Sequence, residues 1–405
     1  MQKSLFKSLY LILMITIISS PSCNDSRELP NDLMNTTEGY YKGKFESPSI
    51  ISFKGVPYAK PPIKDLRFEN PVKPDSFSGT RQANQIGAVC PQFDPNQLLP
   101  TMIGDEDCLF LNIFRPSAEG EYPVMVWIHG GGFTKGDSMH SLHGAGNLSW
   151  YGQPYRLVDS GIVFISINYR LGVFGFLASR DTAEEDAANG NYGLSDQQQA
   201  LKWIRNNANS FDGDPNNITI FGESAGAWSC ALQVGMGIQG DFQKVICQSG
   251  GGDATRNMDS ANKWGEIFIS KCHDNNISIK DLSSTPPEKL IEVAKLMRHM
   301  ELSDGSSWVM PEVGFAPVVD NVVLKVVVVD LEVAVELEVE TVVLKVVVVL
   351  FEVEKVVVVL KLVLKVVVVL LLVLCENDVF LEVLLEVFQH ELAYFFHCAS
   401  LRKIF

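Results

Sequence analysis

The strongest local signal in the chain is the stretch Asn217-Ile218-Thr219-Ile220-Phe221-Gly222-Glu223-Ser224-Ala225-Gly226. Its first half is a β-branched apolar run that predicts a strand, and helix-compatible sequence follows as far as Val234. A G-x-S-x-G pentapeptide between a strand and a helix predicts a sharp turn that lifts the serine clear of the sheet. Glycines two residues on either side of Ser224 are expected, because a Cβ there would collide with neighbouring backbone. The pattern indicates a nucleophilic serine, with the Ala225 amide at the positive end of a helix.

A second stretch, His129-Gly130-Gly131-Gly132-Phe133, follows the strand-like residues 123–128. Consecutive glycines let backbone N–H groups turn inward without obstruction by side chains. Taken alone, three consecutive glycines more often form a flexible turn. Together with the serine turn, they predict that the amides of Gly131, Gly132 and Ala225 form an oxyanion hole for acyl transfer.

Length and composition limit the fold and the partners. The chain has 405 residues and is 46% hydrophobic, which suffices for one large α/β domain or two smaller ones. Its net charge of −15 argues against nucleic acid or an anionic membrane surface as a partner, because both would repel it. Strand-like residues 124–128 and 162–167 alternate with helical stretches such as 195–206. This alternation predicts an α/β fold with a central, mostly parallel sheet and helices on both faces.

The N-terminus has the pattern of a secretory signal peptide over residues 1–22. Lys3 and Lys7 precede a mostly apolar run at 9–18, and small residues follow. A buried helix or a membrane anchor is the alternative, but the run is too short to cross a bilayer comfortably, so no stable span is expected. The predicted location is extracellular. Cys23 is an alternative site for lipid attachment.

Export would make several Asn-x-Ser/Thr sequons usable for glycosylation. The candidates are Asn35, Asn147 and Asn276. A fourth sequon, at Asn217, lies at the start of the predicted strand before the serine turn, where burial disfavours modification.

Residues 321–375 differ in amino-acid composition from residues 35–320, which have the composition of an ordinary globular domain. Four lysines fall on a ten-residue grid and each precedes four valines: Lys325, Lys345, Lys355 and Lys365. A β-solenoid or a membrane-inserting tail would explain valine runs, but the stretch has no glycine or proline for turns, and residues 366–374 are too short for a spanning helix. We interpret it as a repeat that replaced the end of the domain. Residues 376–405 are an unassigned tail.

Further ordered motifs lie between residues 55 and 320, namely Gly55-Val56-Pro57-Tyr58-Ala59-Lys60-Pro61-Pro62, Glu106-Asp107-Cys108-Leu109-Phe110-Leu111-Asn112, Asn168-Tyr169-Arg170-Leu171-Gly172, Gly190-Asn191-Tyr192-Gly193-Leu194-Ser195-Asp196-Gln197 and Gly314-Phe315-Ala316-Pro317-Val318-Val319-Asp320. With them, residues 35–320 resemble the type B carboxylesterases and cholinesterases. The resemblance implies an α/β-hydrolase fold and hydrolysis of a small-molecule ester without a cofactor or metal. It also implies that Ser224 is the nucleophile and that the three amides form the oxyanion hole.

The resemblance makes a prediction for the cysteines as well. It implies that Cys90 and Cys108 form the first disulfide of the family, with two free buried thiols as the alternative. Cys272 matches the first cysteine of a second family disulfide but has no partner before Cys375, so it is expected to be an odd thiol. Cys230 and Cys247 are interpreted as small core residues.

The chain departs from the family where the rest of the catalytic triad belongs. In the family, an acid and a histidine follow the serine, and here those positions fall within or beyond the repeat. Near the C-terminus, His390 directly precedes Glu391, whereas the family pattern has its histidine three residues before the glutamate. His390 is the remaining candidate for the general base, out of register, and no acid is assigned.

These features predict a secreted serine carboxylesterase that works through an acyl-serine intermediate and is impaired, because the triad acid and histidine are not in place. Choline esters are not the expected substrates, because choline-binding members of the family carry a tryptophan that residues 91–107 lack. The alternatives are a non-catalytic extracellular binding or adhesion protein of the same fold and a defective gene product. The oligomeric state is left open.

Overall fold

The structure is a computed structural model, and it describes residues 32–93, 101–139, 154–179, 189–236, 240–251, 255–297, 315–319, 327–336 and 341–350. The predicted signal peptide, Asn147, Cys23 and His390 lie outside these residues.

The strands in the described part of the chain, in order, are β1 (Leu33–Asn35), β2 (Tyr40–Lys42), β3 (Lys44–Ser47), β4 (Ile50–Pro57), β5 (Thr80–Gln82), β6 (Gln92–Phe93), β7 (Met102–Ile103), β8 (Phe110–Pro116), β9 (Tyr122–Ile128), β10 (Val163–Ile167), β11 (Gly213–Glu223), β12 (Lys244–Gln248), β13 (Arg256–Asn257), β14 (Val318–Val319), β15 (Val327–Glu336) and β16 (Thr341–Leu350).

The α-helices are α1 (Tyr155–Asp159), α2 (Gly172–Phe176), α3 (Tyr192–Asn207), α4 (Ala225–Gly235), α5 (Met258–Asp274) and α6 (Pro287–Lys295). Short 3-10 helices cover Lys64–Leu66, Ala208–Phe211 and Ile279–Asp281. None of these helices is long and apolar enough to cross a membrane.

The main sheet has seven described strands in the order β12-β11-β9-β10-β8-β4-β3. The four strands β12, β11, β9 and β10 run parallel to one another, whereas the pairs β10-β8, β8-β4 and β4-β3 are antiparallel. The prediction of a sheet that is mostly parallel in its centre is therefore confirmed, and an antiparallel group extends it on one side. Parallel neighbours bring their carboxyl ends to one edge, so the segments after β9 and β11 leave the sheet side by side.

Successive residues of a strand point to opposite faces of the sheet, and each face packs in its own hydrophobic cluster. Along β9, Val126 and Ile128 join the large core cluster, while Trp127 between them joins a second, smaller cluster. The small cluster includes Val158 of α1, and the large one includes Ile204 of α3 and several residues of α4. Helices consequently cover both faces, as the alternation of strands and helices predicted.

The elements predicted from local patterns are found with small shifts. The strand before the serine turn begins earlier than expected, because β11 starts at Gly213 and has a register irregularity between Gly213 and Ile218. The predicted helix at 195–206 is α3, which begins three residues sooner. The helix after the serine is α4, which ends at Gly235.

The structure joins Cys90 and Cys108 by a disulfide, and both residues are buried. Closure of a loop of this size restricts the unfolded chain, which stabilises the fold by about 3 kcal/mol in the chain-entropy model. Cys230, Cys247 and Cys272 are free thiols. Cys230 and Cys272 are buried, but Cys247 is exposed, so its interpretation as a core residue was wrong. The physical reason is that β12, which carries Cys247, is the outermost strand at one end of the described sheet.

Within the valine repeat, β15 and β16 form a two-stranded antiparallel sheet of their own. The register pairs Val327 with Leu350 at one end and Glu336 with Thr341 at the other. This hairpin is paired separately from the seven-stranded sheet.

Candidate active site

Ser224 lies at the turn between β11 and α4, in a backbone conformation that non-glycine residues rarely adopt. Its φ is 56° and its ψ is −122°, and it occupies the position directly before the first residue of α4. A residue held in such a region carries about 1–3 kcal/mol of strain, so the surrounding structure must fix it. Here the Ser224 amide donates to the carbonyl of Gln248 (2.9 Å), and its carbonyl accepts from the Trp228 amide (3.0 Å). The residue is half-buried rather than enclosed.

The glycines on either side of Ser224 are required by close backbone approach. A Cβ on Gly222 would lie 2.5 Å from the carbonyl carbon of Gly226 and 2.6 Å from the carbonyl oxygen of Ile128. A Cβ on Gly226 would lie 2.1 Å from that same oxygen. Both distances are far inside van der Waals contact, so the collision expected from the sequence pattern is present in the fold.

The glycine loop after β9 packs directly against this turn. A Cβ on Gly130 would lie 2.5 Å from the Glu223 carbonyl oxygen and 3.3 Å from Cβ of Ser224. The next two glycines have positive φ angles of 113° at Gly131 and 62° at Gly132. Because these angles suit glycine, the loop can turn tightly beside the serine.

The candidate donors beside the serine turn are the amides of Gly131, Gly132 and Ala225. Within the described residues, no backbone hydrogen bond uses the amide of Gly131 or Gly132 as donor. Ala225 is the first residue of α4, where the N–H has no partner inside the helix and lies at the positive end of the helix dipole. The arrangement can therefore offer N–H donors to a developing negative charge.

Aromatic packing fixes the glycine loop to the helix that follows Ser224. Phe133 also has a positive φ, of 60°, and its side chain is buried. Its ring stacks near Trp228 of α4 with 6.2 Å between ring centroids, and meets Phe176 of α2 edge-on at 5.1 Å. Large aromatic side chains thus anchor a loop whose glycines have no side chains to pack.

Gln92 holds the far end of the same loop, and the sequence patterns gave no sign of it. Its side-chain amide donates to the Gly136 carbonyl (2.8 Å), and its side-chain oxygen accepts from the Gly136 amide (2.7 Å). A third bond runs from the same nitrogen to the carbonyl of Cys90 (3.0 Å). Gln92 is buried and lies two residues after Cys90, so the disulfide and the glycine loop are joined through one side chain.

The first residue of the loop, His129, makes contacts that hold the loop in place. It is buried, its Nδ1 lies 2.8 Å from the Gly130 carbonyl oxygen, and its ring stacks on Tyr169 at 4.4 Å between centroids. The Tyr169 hydroxyl donates to the His129 carbonyl (2.8 Å). Burial raises the pKa of Tyr169, so its hydroxyl remains a neutral donor.

A buried ion pair supports the segment that carries Tyr169. The Arg170 guanidinium donates two hydrogen bonds to the Asp196 carboxylate (2.7 and 2.8 Å), and the Arg170 amide adds a third (3.0 Å). Both side chains are almost fully enclosed. Burial alone would lower the pKa of Arg170, but the Asp196 carboxylate raises it overall, so the guanidinium stays charged.

The described residues supply no base for Ser224. Its hydroxyl makes no hydrogen bond to any of them. His129 and His273 are the histidines in the described ranges; His129 contacts Gly130 and Tyr169, and His273 is exposed on α5. His390 lies outside these ranges, as do the acids of residues 351–405. Nor do the described residues bring together three or more side chains that could hold a metal ion.

Two of the predicted glycosylation sites can be located. Asn35 at the end of β1 and Asn276 after α5 are both exposed. The disfavoured Asn217 lies within β11 and accepts a hydrogen bond from the Lys244 side chain (2.7 Å).

Comparison with known proteins places this geometry in a family. The chain is 35% identical over 280 residues to the para-nitrobenzyl esterase of Bacillus subtilis (strain 168), covering 67% of this chain and 54% of that protein. It is 39% identical over 252 residues to the juvenile hormone esterase of Tribolium castaneum, covering 60% and 40%. The chain thus spans about half the length of the relatives that it matches.

Solved structures of esterases resemble this chain as well. A carboxylesterase of Geobacillus stearothermophilus matches with a TM-score of 0.59 and 36% identity, over 72% of this chain and 56% of that one. A thermophilic para-nitrobenzyl esterase matches with a TM-score of 0.61 and 32% identity, over 72% and 58%. The α/β-hydrolase fold expected from the sequence is therefore confirmed. A model of the carboxylesterase family matches residues 31–337, and this chain belongs to that family.

Proposed function

We propose that the chain is a serine carboxylesterase that hydrolyses small carboxylic esters through an acyl intermediate on Ser224. The observation that carries the proposal is the position of Ser224 on a strained turn at the start of α4, with the glycine loop packed against it. The known relatives favour the same chemistry, since their names describe esterases. Because the chain spans only part of them, activity is proposed here from the site.

In the proposed reaction, the Ser224 hydroxyl attacks the ester carbonyl carbon and loses its proton to a base. The amides of Gly131, Gly132 and Ala225 hold the oxyanion of the tetrahedral intermediate. Collapse of the intermediate breaks the bond to the alcohol oxygen, which leaves with a proton, and the acyl group stays on the serine. Water then attacks the acyl-serine and releases the carboxylic acid.

We further propose that turnover is slow. Without an imidazole, a serine hydroxyl keeps the high pKa of an alcohol and is a poor nucleophile. Enzymes that lose a triad member retain a rate about 10³–10⁴-fold above that in water, from binding and oxyanion stabilisation. His390 is the candidate for the missing base, and mutation of His390 tests its contribution to the rate.

The substrate class follows from the site and from the sequence. Two relatives, the para-nitrobenzyl esterase and the juvenile hormone esterase, are not named for choline esters, whereas a third, from Trittame loki, is named an acetylcholinesterase. Residues 91–107 contain no tryptophan, the residue that the family resemblance associates with choline-binding members. We therefore propose uncharged esters as substrates.

Labelling by a fluorophosphonate ester probe tests the catalytic proposal. The full-length chain should acquire one adduct on the tryptic peptide with Ser224, and hydrolysis of para-nitrophenyl acetate should fall in proportion. Ser224→Ala is the matched control and should show neither labelling nor hydrolysis above background. In His390→Ala, labelling should slow if His390 is the base. An unlabelled Ser224 in folded protein would contradict the proposal.

One observation favours a second candidate, an extracellular binding protein of the same fold. The Ser224 hydroxyl has no hydrogen-bond partner among the described residues, which suits a site without catalysis. Retention of Ser224 itself favours the esterase. The probe separates the two, because a binding protein should bind an ester without forming a covalent adduct.

Secretion and glycosylation are also proposals. The sequence pattern at 1–22 and the exposure of Asn35 and Asn276 support them. Expression in eukaryotic cells should give a product in the medium that starts near Cys23 and moves faster on a gel after glycosidase treatment. Retention in the cells without any glycan would contradict both.

The division of the chain into residues 35–320, 321–375 and 376–405 also remains a prediction.

A further inference from the structure

Two free thiols lie on neighbouring elements beside the serine turn. Cys230 is fully buried in α4, six residues after Ser224. Cys247 is exposed in β12, directly before Gln248, whose carbonyl accepts the hydrogen bond of the Ser224 amide. A third free thiol, Cys272, is buried on a different helix, α5.

The strand register directs Cys247 toward α4. In the parallel pairing of β11 with β12, Gly222 and Cys247 are partners, so Cβ atoms at these positions point to the same face. A Cβ at Gly222 would meet the backbone of Gly226, in the first turn of α4. Cys230 is four residues beyond Gly226, and residues four apart lie on one side of a helix. Cys247 and Cys230 therefore project from the strand and the helix toward the same layer.

Packing along β12 supports the same orientation. Val245 is two residues before Cys247, so it points to the same face, and it packs against the large core cluster that contains Cys230. The two thiols are also close enough to interact electrostatically. Burial is the main cause of the raised pKa of Cys230, and a charge on Cys247 raises it further.

We propose that Cys230 and Cys247 form a dithiol modification site, which a small disulfide of the glutathione class oxidises to a bridge between α4 and β12. The Cys247 thiolate attacks one sulfur of the oxidant and expels one thiolate, which leaves a mixed disulfide on Cys247. Cys230 then loses its proton and attacks the Cys247 sulfur, which expels the second thiolate. Two protein thiols and one disulfide thus become one protein disulfide and two small thiols.

The environment of the two groups sets the order and the pace of these steps. Cys247 is the exposed thiol, so it meets the oxidant first, and Cys230 is reached only from within the protein. Full burial raises the pKa of Cys230, and partial removal from water raises that of the exposed Cys247, so little thiolate is present at neutral pH. Because the thiolate is the attacking species, the rate should rise about tenfold per pH unit below the pKa of the attacking thiol.

The peptide map of the chain makes the test direct. Lys244 lies between the two cysteines and is the only lysine or arginine there, so trypsin places Cys230 and Cys247 on separate peptides. Folded full-length protein is incubated with oxidised glutathione, alkylated with iodoacetamide and digested without reduction. The expected product is one peptide pair joined through Cys230 and Cys247. Molecules whose Cys272 resists alkylation before denaturation are counted as folded, because Cys272 is buried.

Cys230→Ala is the matched control, since alanine keeps a small apolar side chain in the core. In this variant Cys247 should retain glutathione, with no transfer to another cysteine. A mixed disulfide that also persists on Cys247 of the unmutated protein would overturn the proposal. So would a bridge from Cys247 to a different cysteine of the chain.

Discussion

The strands β11 and β16 both contain runs of β-branched residues, but they differ in how their pairing is specified. β11 contains Gly222 one residue before its end, where the lack of a side chain lets Gly226 and Ile128 approach, so one alignment fits. β16 contains four consecutive valines at 346–349, two of which pair with Val328 and Val329, and a shift by one residue in one direction leaves three of them opposite valine. A side-chain pattern that is unchanged by a shift gives little information on register. The difference shows that strand propensity is enough to form a strand. Its register is decided by side chains that differ from one position to the next, so that only one alignment fits.

The largest effect should come from breaking the buried ion pair behind the site. Asp196→Ala leaves the Arg170 guanidinium enclosed without its carboxylate, so we expect the free energy of unfolding to fall by about 3–5 kcal/mol. Urea denaturation measures the change. Asp75→Ala is the control, because Asp75 pairs with Lys60 at the surface and should contribute less than about 1 kcal/mol. Equal losses would mean that the enclosed pair is no more important than an exposed one.

Gly226→Ala tests the close approach on which the unique register of β11 depends. The new Cβ would lie 2.1 Å from the Ile128 carbonyl, so backbone must move, and we expect a loss of about 3 kcal/mol, the upper part of the range for overpacking. Gly79→Ala separates steric collision from backbone strain. Gly79 has a φ of 82° but open space around it, and its substitution should lose about 1 kcal/mol. The account is wrong if the variant at Gly226 is as stable as that at Gly79.

Gln92→Ala tests the contact between the disulfide segment and the glycine loop. The change leaves the buried Gly136 amide and carbonyl without their partner, which should lower stability by about 1–3 kcal/mol. If the loop holds the oxyanion, kcat for an ester should fall more than KM rises, because the oxyanion exists only in the transition state. Gln92→Glu keeps the acceptor but loses the donor. Its stability and kcat should lie between those of the unmutated protein and those of Gln92→Ala. Unchanged kcat with lowered stability would restrict Gln92 to a structural role.

The smallest effect is expected in the repeat. Deletion of residues 346–355 removes one ten-residue unit and leaves Lys345 followed by four valines, as before. Since the repeat can pair equally well after such a shift, the unfolding transition of the rest of the chain should change by less than about 0.5 kcal/mol. Near-UV circular dichroism during thermal unfolding follows the tryptophans, which all lie before residue 309. A large drop in this transition would show that the repeat stabilises the domain in one register.

The sequence predicted the features that depend on local patterns. The strands at 124–128 and 162–167, the helix after Ser224 and the need for Gly222 and Gly226 all follow from side-chain period and backbone sterics, which act within a few residues. The disulfide was predicted from family resemblance. These features together define the serine turn and the loop beside it.

What the sequence did not reveal depends on contacts between distant segments. Gln92 and Gly136 are 44 residues apart, and neither stands in a pattern that announces the other. The exposure of Cys247 depends on the place of β12 at the end of the sheet, which strand order decides and local sequence does not. The link between Phe133 and Trp228 is of the same kind.

The central claim is that Ser224 attacks a carbonyl whose oxyanion is held by the amides of the glycine loop and α4. A crystal structure of the full-length chain after reaction with a fluorophosphonate ester tests it most directly. We predict a phosphonyl group on the Ser224 Oγ, with its free oxygen about 2.7–3.1 Å from the amide nitrogens of Gly131, Gly132 and Ala225. An adduct whose oxygen points to solvent, away from these three amides, would contradict the claim.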